Sequence, residues 1–160
     1  MLLKNVFVLM FALVPVFSTA WGNAVESGSG QSDQKKFTQQ RQQMVEEIEA
    51  DADITDKYFC KKSFDPAVMQ AMATVPRHEF VPSDMLEHAY LNRPLPIGYG
   101  QTISQPYIVA FMTHVLIEHH IPVNYVLEVG TGSGYQTAVL SRLVTRVYSV
   151  ERIKALHVHT

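Results

Sequence analysis

Apolar positions change their spacing several times along this chain, and each spacing predicts a different element. From Val6 to Phe17 the residues are apolar almost without a break, interrupted by Pro15. Val25 to Asp33 is polar and rich in Gly and Ser, the composition of a linker. Between Gln34 and Ala50, the positions Phe37, Arg41, Met44, Val45 and Ile48 recur at three- and four-residue intervals. Gln, Lys and Glu fill the other faces, which predicts an amphipathic helix. Asp51 to Ser63 is polar and predicts a loop. Asp65 followed by Pro66 opens a second helix, with Val68, Met69, Met72 and Val75 on one face and Pro76 as its stop. A third helix is predicted from Ser83 to Tyr90, and an extended, turning loop from Pro94 to Gly100.

Ser104-Gln105-Pro106 opens a fourth helix that should end near His120, with Ile108, Phe111, Met112, Val115 and Leu116 facing inward. Beyond it the period shortens. Tyr125 to Val129 is an apolar run too short for a helix, Gly130 to Gly134 is a turn, and Tyr135 to Leu143 is helical. Arg146 to Val150 is a second short strand, and another helix begins at Ile153. Strand, helix, strand, helix is the order of parallel strands joined by crossover helices. The near-continuous apolarity of both strands predicts an α/β sheet covered on both faces.

Composition excludes several classes. Of 160 residues 47% are hydrophobic, too many for a disordered chain. Lys and Arg number 13 against 15 Asp and Glu, a net charge of −2, which argues against a nucleic-acid partner held by a basic surface. The single cysteine, Cys60, rules out an internal disulfide or a Cys-rich zinc site. The N-terminal run changes the picture more. Lys4 precedes it, and Ser18-Thr19-Ala20 follows it with small residues at the positions a signal peptidase reads. Residues 1–20 therefore read as an export signal, cut after Ala20 or Ala24, and are set apart from the fold. The run is too short to span a bilayer comfortably, so no stable membrane insertion is expected after cleavage. The expected destination is the periplasm, or the cytoplasm if the segment is not a working signal.

The informative segment is Val126-Leu127-Glu128-Val129-Gly130-Thr131-Gly132-Ser133-Gly134-Tyr135. Three glycines at every second position follow a strand and open a helix, where the backbone must reverse sharply and let a ligand touch it. Glu151 stands directly after the second strand, where a carboxylate can accept hydrogen bonds from both hydroxyls of a ribose. The dinucleotide fingerprint needs glycine where Tyr135 stands, and no Walker lysine follows, so the dinucleotide and phosphate-loop readings both fall. Glu128 would repel a pyrophosphate but suits a ligand carrying ammonium and sulfonium groups, such as S-adenosyl-L-methionine.

Val75-Pro-Arg-His78-Glu-Phe-Val-Pro82, Pro94 to Pro106 (PLPIGYGQTISQP), the glycine motif and Tyr148 to Ile153 together resemble the protein-L-isoaspartate O-methyltransferase family. The likeness runs from Phe64 to Leu156, with a weaker echo over Met44 to Ala50. It implies a Rossmann-like class I methyltransferase sheet preceded by an N-terminal helical region, with the first two parallel strands present. Residues 34–103 would form the helical and substrate-loop region, and residues 104–160 the first part of the S-adenosylmethionine-binding domain. The resemblance implies methyl transfer to the carboxylate of L-isoaspartyl residues in damaged proteins and peptides, the expected partners. Ser104 matches the family's active-site serine, and Thr102, Ile103 and Ser104 its loop over cofactor and substrate. Glu128, Gly130, Thr131, Gly132, Ser133 and Gly134 match the cofactor turn, and Glu151 the ribose-binding acid.

Two departures accompany the likeness. Family members are usually cytosolic and continue well past the second strand, whereas this chain opens on an export signal and stops at Thr160. The rival readings are a methyltransferase for another carboxylate or small molecule, and an inactive truncated copy. Ser104 also reads as the N-cap of the fourth helix. No metal site is expected: His119-His120 and His157-Val158-His159 lack a carboxylate at ligand spacing. His78 is expected to pack or bond the loop before Phe80, and Cys60 to be a bystander.

Overall fold

The computed structural model describes residues 6–10, 30–59, 63–118 and 123–157. Cys60, His119, His120 and His159, and the proposed cut sites, lie outside the described residues. The first described element is a strand, Val6–Met10 (β1). A helix of 30 residues follows, Gly30–Phe59 (α1). It overruns the expected helix at both ends: the expected linker contributes its first turn, and the polar stretch from Asp51, read as a loop, continues it. The physical reason is that no Gly or Pro stands between Gly30 and Pro66 to stop it. The buried stripe of Met44, Val45 and Ile48 also continues into Ala52. Polar residues on the other positions are the wet face of one helix rather than a break.

Helix Pro66–Thr74 (α2) is capped as expected, the Asp65 carboxylate accepting from Ala67 N at 2.8 Å. Two short 3-10 turns follow, Arg77–Phe80 and Ser83–His88. The second replaces the α-helix expected from Ser83. None of its six residues is buried, so no apolar face exists to lengthen it. The segment expected as a loop is a hairpin, Leu95–Gly98 (β2) against Gln101–Ile103 (β3). Gly98, Tyr99 and Gly100 reverse the chain with φ of 88°, 52° and 70°, and Leu95, Ile97 and Ile103 turn into the core.

Helix Pro106–Ile117 (α3) begins with proline at its first position, and its N-cap is Gln105, not Ser104, with no side-chain capping bond. Its inward face also differs from expectation: Ile108 and Val115 are exposed, while Val109, Ala110, Thr113, His114 and Leu116 are buried. A helix apolar all round gives no periodic signal, so polar partners decide its rotation. Thr113 accepts from Gln136 Nε2 at 2.8 Å and donates to the Val109 carbonyl at 2.7 Å, and His114 Nδ1 accepts from Asp65 N at 2.9 Å.

The last elements fall near their expected places: Tyr125–Val129 (β4), Tyr135–Leu140 (α4), Arg146–Val150 (β5) and Lys154–His157 (α5). The sheet is parallel throughout, in the order β1-β4-β5. Among the described residues it holds the expected parallel pair β4–β5 and a further strand, because Val6–Met10, set apart as a leader, pairs along β4 from Val6↔Tyr125 to Met10↔Val129. Among the described residues, one face of the sheet is covered and the other is not. Val126 packs with Leu116 and Leu140 on one face, while Tyr125, Tyr148 and Val150 stand exposed on the other.

Where α1 docks, Phe37 stacks on His78 with ring centroids 4.0 Å apart. Arg41 donates to the Ala73 carbonyl at 2.8 Å and to the Tyr90 hydroxyl at 3.1 Å. The Tyr90 hydroxyl also bonds His78 Nδ1, 2.7 Å away, with either group able to donate. His78 is thus structural, as expected. Burial lowers its pKa from 6.5, with the Glu79 charge opposing and Arg41 adding to the shift. The unfolded chain then takes up a proton at a higher pH than the folded one, so stability is lost as pH falls from about 6.5. Thermal melts between pH 7.5 and 5 should show a shallower decline in a His78→Gln variant than in the parent.

Candidate active site

The cleft is built where β4 ends. Gly130, Gly132 and Gly134 take φ of 97°, 58° and 84°, a left-handed alternation closed to most side-chain-bearing residues. The turn is tied to the next strand, Gly130 N and Thr131 N both donating to the Val150 carbonyl, at 2.8 and 3.3 Å. A side chain at Gly132 would start 3.4 Å from Ile97 Cδ1, so the β2–β3 hairpin lies directly over the turn.

Glu128 is fully buried beneath it. One carboxylate oxygen, Oε2, accepts from the Thr137 hydroxyl and from the Ser149 hydroxyl at 2.5 Å. The other, Oε1, is buried with no hydrogen-bond partner among the described residues. Burial raises the Glu128 pKa above 4.5, the two hydroxyl donors oppose the shift, and the nearby Glu151 charge adds to it. Glu151 is turned inward as well. Its Oε2 accepts from Gly132 N at 2.8 Å and its Oε1 from Ile153 N at 2.7 Å.

A cleft of about 480 Å³ opens between this turn and the Thr102–Ser104 strand end. Of the residues expected from sequence, Thr102, Ile103, Ser104, Glu128, Gly130, Thr131, Gly132, Ser133 and Glu151 all line it. Gly134 does not; it is buried and serves as the N-cap of α4. Sequence reasoning missed Gln101, Val109, Tyr135, Gln136, Arg152 and Ile153 in the lining. It also missed Ser149 and Thr137, which hold Glu128. Ser149 had a usable signal: it lies two residues before Glu151 and is the register partner of Glu128. Among the described residues, no group of three or more His, Cys, Asp or Glu could hold a metal ion. No helix there is long and apolar enough to cross a membrane.

Parallel strands joined by a crossover helix, with a glycine turn after the first and a carboxylate after the second, define a class I methyltransferase fold. The chain belongs to the protein-L-isoaspartate(D-aspartate) O-methyltransferase (PCMT) family, which matches residues 41–160. A relative from Syntrophobacter fumaroxidans, named protein-L-isoaspartate O-methyltransferase 2, is 53% identical over 91% of this chain and 56% of its own length. One from Alkalilimnicola ehrlichii, named protein-L-isoaspartate O-methyltransferase, is 62% identical over 58% of this chain and 41% of its own. The chain spans about half the length of the curated relatives it matches. A solved protein-L-isoaspartate O-methyltransferase overlaps 74% of this chain and 36% of its own, with a TM-score of 0.57 and 26% identity. A Plasmodium falciparum chain, described as a protein of that kind in complex with S-adenosyl-L-homocysteine, shares the fold. Its TM-score is 0.53 at 24% identity, covering 69% of this chain and 51% of its own.

Proposed function

We propose that this chain carries the cofactor turn and catalytic loop of an S-adenosyl-L-methionine-dependent enzyme that methylates the carboxylate of L-isoaspartyl residues in damaged proteins and peptides. The observation that supports it most is Glu128, a buried carboxylate with a free oxygen at the wall of a glycine-turn cleft. That is an acceptor suited to an ammonium group, in a family whose named members are isoaspartate methyltransferases. When bound, the cofactor supplies a methyl group on a sulfonium, which leaves as a neutral thioether. Glu128 would hold the ammonium, Gly130 to Gly134 would offer backbone to the ligand, and Glu151 would hold the ribose.

The residues of the chain have little proton chemistry to perform. A side-chain carboxylate is ionised near neutral pH and needs no base to attack a methyl group. What remains is alignment and exclusion of water. Ser104 lines the cleft opposite the glycine turn, and its hydroxyl would orient the substrate carboxylate by donating to it. In the full-length gene product, Ser104→Ala should lower kcat on an isoaspartyl peptide by roughly 10–100-fold. Affinity for S-adenosylhomocysteine, measured by calorimetry, should stay within about threefold. Full turnover in that variant would remove Ser104 from the chemistry. Methylation of a different carboxylate in a side-by-side panel, with none of the isoaspartyl peptide, would overturn the substrate assignment.

The proposal includes export to the periplasm, with the leader cut after Ala20 or Ala24. Its support is the layout of residues 1–20 in the sequence. Cleavage there would remove the strand that pairs with β4.

A further inference from the structure

We infer that Arg77 is the positioning residue of this cleft, clamping the Ser104 loop to the helix that follows the glycine turn. The inference rests on the methyl-transfer reading above, since it is the approach of substrate to Ser104 that the clamp would set.

Arg77 is wholly buried. It donates from Nε to the Ala89 carbonyl at 2.8 Å and from Nη2 to the Ser104 carbonyl at 2.7 Å. Its guanidinium lies over the Tyr135 ring, 4.7 Å from the centroid. Tyr135 is the first residue of α4, directly after Gly134, and lines the cleft together with Ser104. One planar group thus holds both walls of the cleft and the end of the second 3-10 turn. Among the described residues Nη1 meets no hydrogen-bond acceptor in good geometry, so the two carbonyl bonds and the contact with Tyr135 carry the clamp.

The arrangement is costly for mere packing. Burial lowers the Arg77 pKa to about 10, and the groups that oppose the shift are Tyr135 and Tyr90. A buried cation offset by two carbonyls and a ring is poorer for stability than a methionine of similar volume. What a guanidinium supplies and an apolar side chain cannot is a rigid fork reaching two backbone carbonyls at once. The Ser104 carbonyl is one bond from the Cα that carries the proposed catalytic hydroxyl. Displacement there by about 1 Å is the scale at which misplaced catalytic groups lose about a hundredfold in rate.

The test compares the full chain with Arg77→Lys, which keeps the charge but reaches only one carbonyl. Hydrogen exchange is read over residues 101–106, with α2 and β4 as internal references. The expected result is exchange about tenfold faster or more over 101–106, with α2 and β4 within about threefold of the parent. In turnover, kcat on an isoaspartyl peptide should fall roughly 30-fold while KM for S-adenosylmethionine holds within about threefold. Unchanged exchange over 101–106, or a rise of equal size in all three regions, overturns the inference. So does a loss of kcat no larger than the loss of folded protein. If Arg77→Lys does not fold, Arg77→Gln replaces it, and failure of both to fold assigns Arg77 to the core alone and overturns the inference too. If the parent transfers no methyl group to isoaspartyl peptides, the functional reading fails, and the exchange result still decides the role of Arg77.

Discussion

Glu128→Gln is expected to fold at least as stably as the parent and to lose most of its affinity for S-adenosylmethionine. The two effects have opposite signs because one charge causes both. In the folded chain burial holds the Glu128 carboxyl above its ordinary pKa of 4.5, against its two hydroxyl donors. A raised folded value means that the fold favours the protonated form. The ionised group therefore weakens the fold at neutral pH, and acidification through the raised value relieves the penalty. Glutamine removes the charge, keeps an oxygen for Thr137 and Ser149, and puts an amide nitrogen where Oε1 has no partner. A ligand ammonium, by contrast, loses a charge-assisted hydrogen bond, about 1.5–3 kcal/mol or roughly 10–150-fold in affinity. Calorimetry with S-adenosylmethionine and a thermal melt measure the two halves. Unchanged affinity in the glutamine variant would take Glu128 out of the site.

Gly132→Val should be the most damaging single change in the turn. At φ of 58° a β-branched residue is confined to a conformation that costs about 1–2 kcal/mol. Its Cβ would sit 3.4 Å from Ile97 Cδ1, an ordinary van der Waals contact to which valine adds two methyl groups. Any shift that relieves the contact pulls Gly132 N from Glu151, 2.8 Å away, a bond to a charged acceptor worth about 1.5–3 kcal/mol. The expected sum is about 3 kcal/mol in a urea titration, with nucleoside binding lost. Gly132→Ala, free of the extra methyl groups, should lose about 1 kcal/mol. Equal midpoints for the valine variant and the parent would show that the hairpin and the turn are not in register.

The strands at Tyr125–Val129 and Arg146–Val150 and the turn between them were legible residue by residue in the sequence. Short apolar runs that end at a glycine turn, as at Gly130, or at a charged residue, as at Glu151, carry their own boundaries. Less local features were not. The polar residues from Asp51 to Phe59 look alike in a loop and on the wet side of a helix, so the end of α1 was invisible. Helix α3 is apolar all round, and its rotation depends on Gln136 and Asp65, far away in sequence. The β2–β3 hairpin lay hidden because Pro94, Pro96, Gly98 and Gly100 read as a loop until pairing is known. In the cleft, the glycines and both carboxylates declared themselves by spacing. The hydroxyls of Thr137 and Ser149, and the Arg77 clamp, act through strand register and three-dimensional reach, which spacing does not encode.

Glycine has more backbone entropy to lose than any other residue when it is ordered. In this turn that loss falls at folding, because the Glu151 carboxylate already fastens Gly132 and the Val150 carbonyl already fastens Gly130. A ligand arriving at the turn meets a shaped surface and has no loop to organise. On the proposed reading it meets an internal competitor instead, since the Gly132 N–H already donates to Glu151, the side chain proposed to receive a sugar hydroxyl. If that reading holds, exchange of one partner for another, rather than ordering of a floppy loop, sets how fast such a ligand comes and goes.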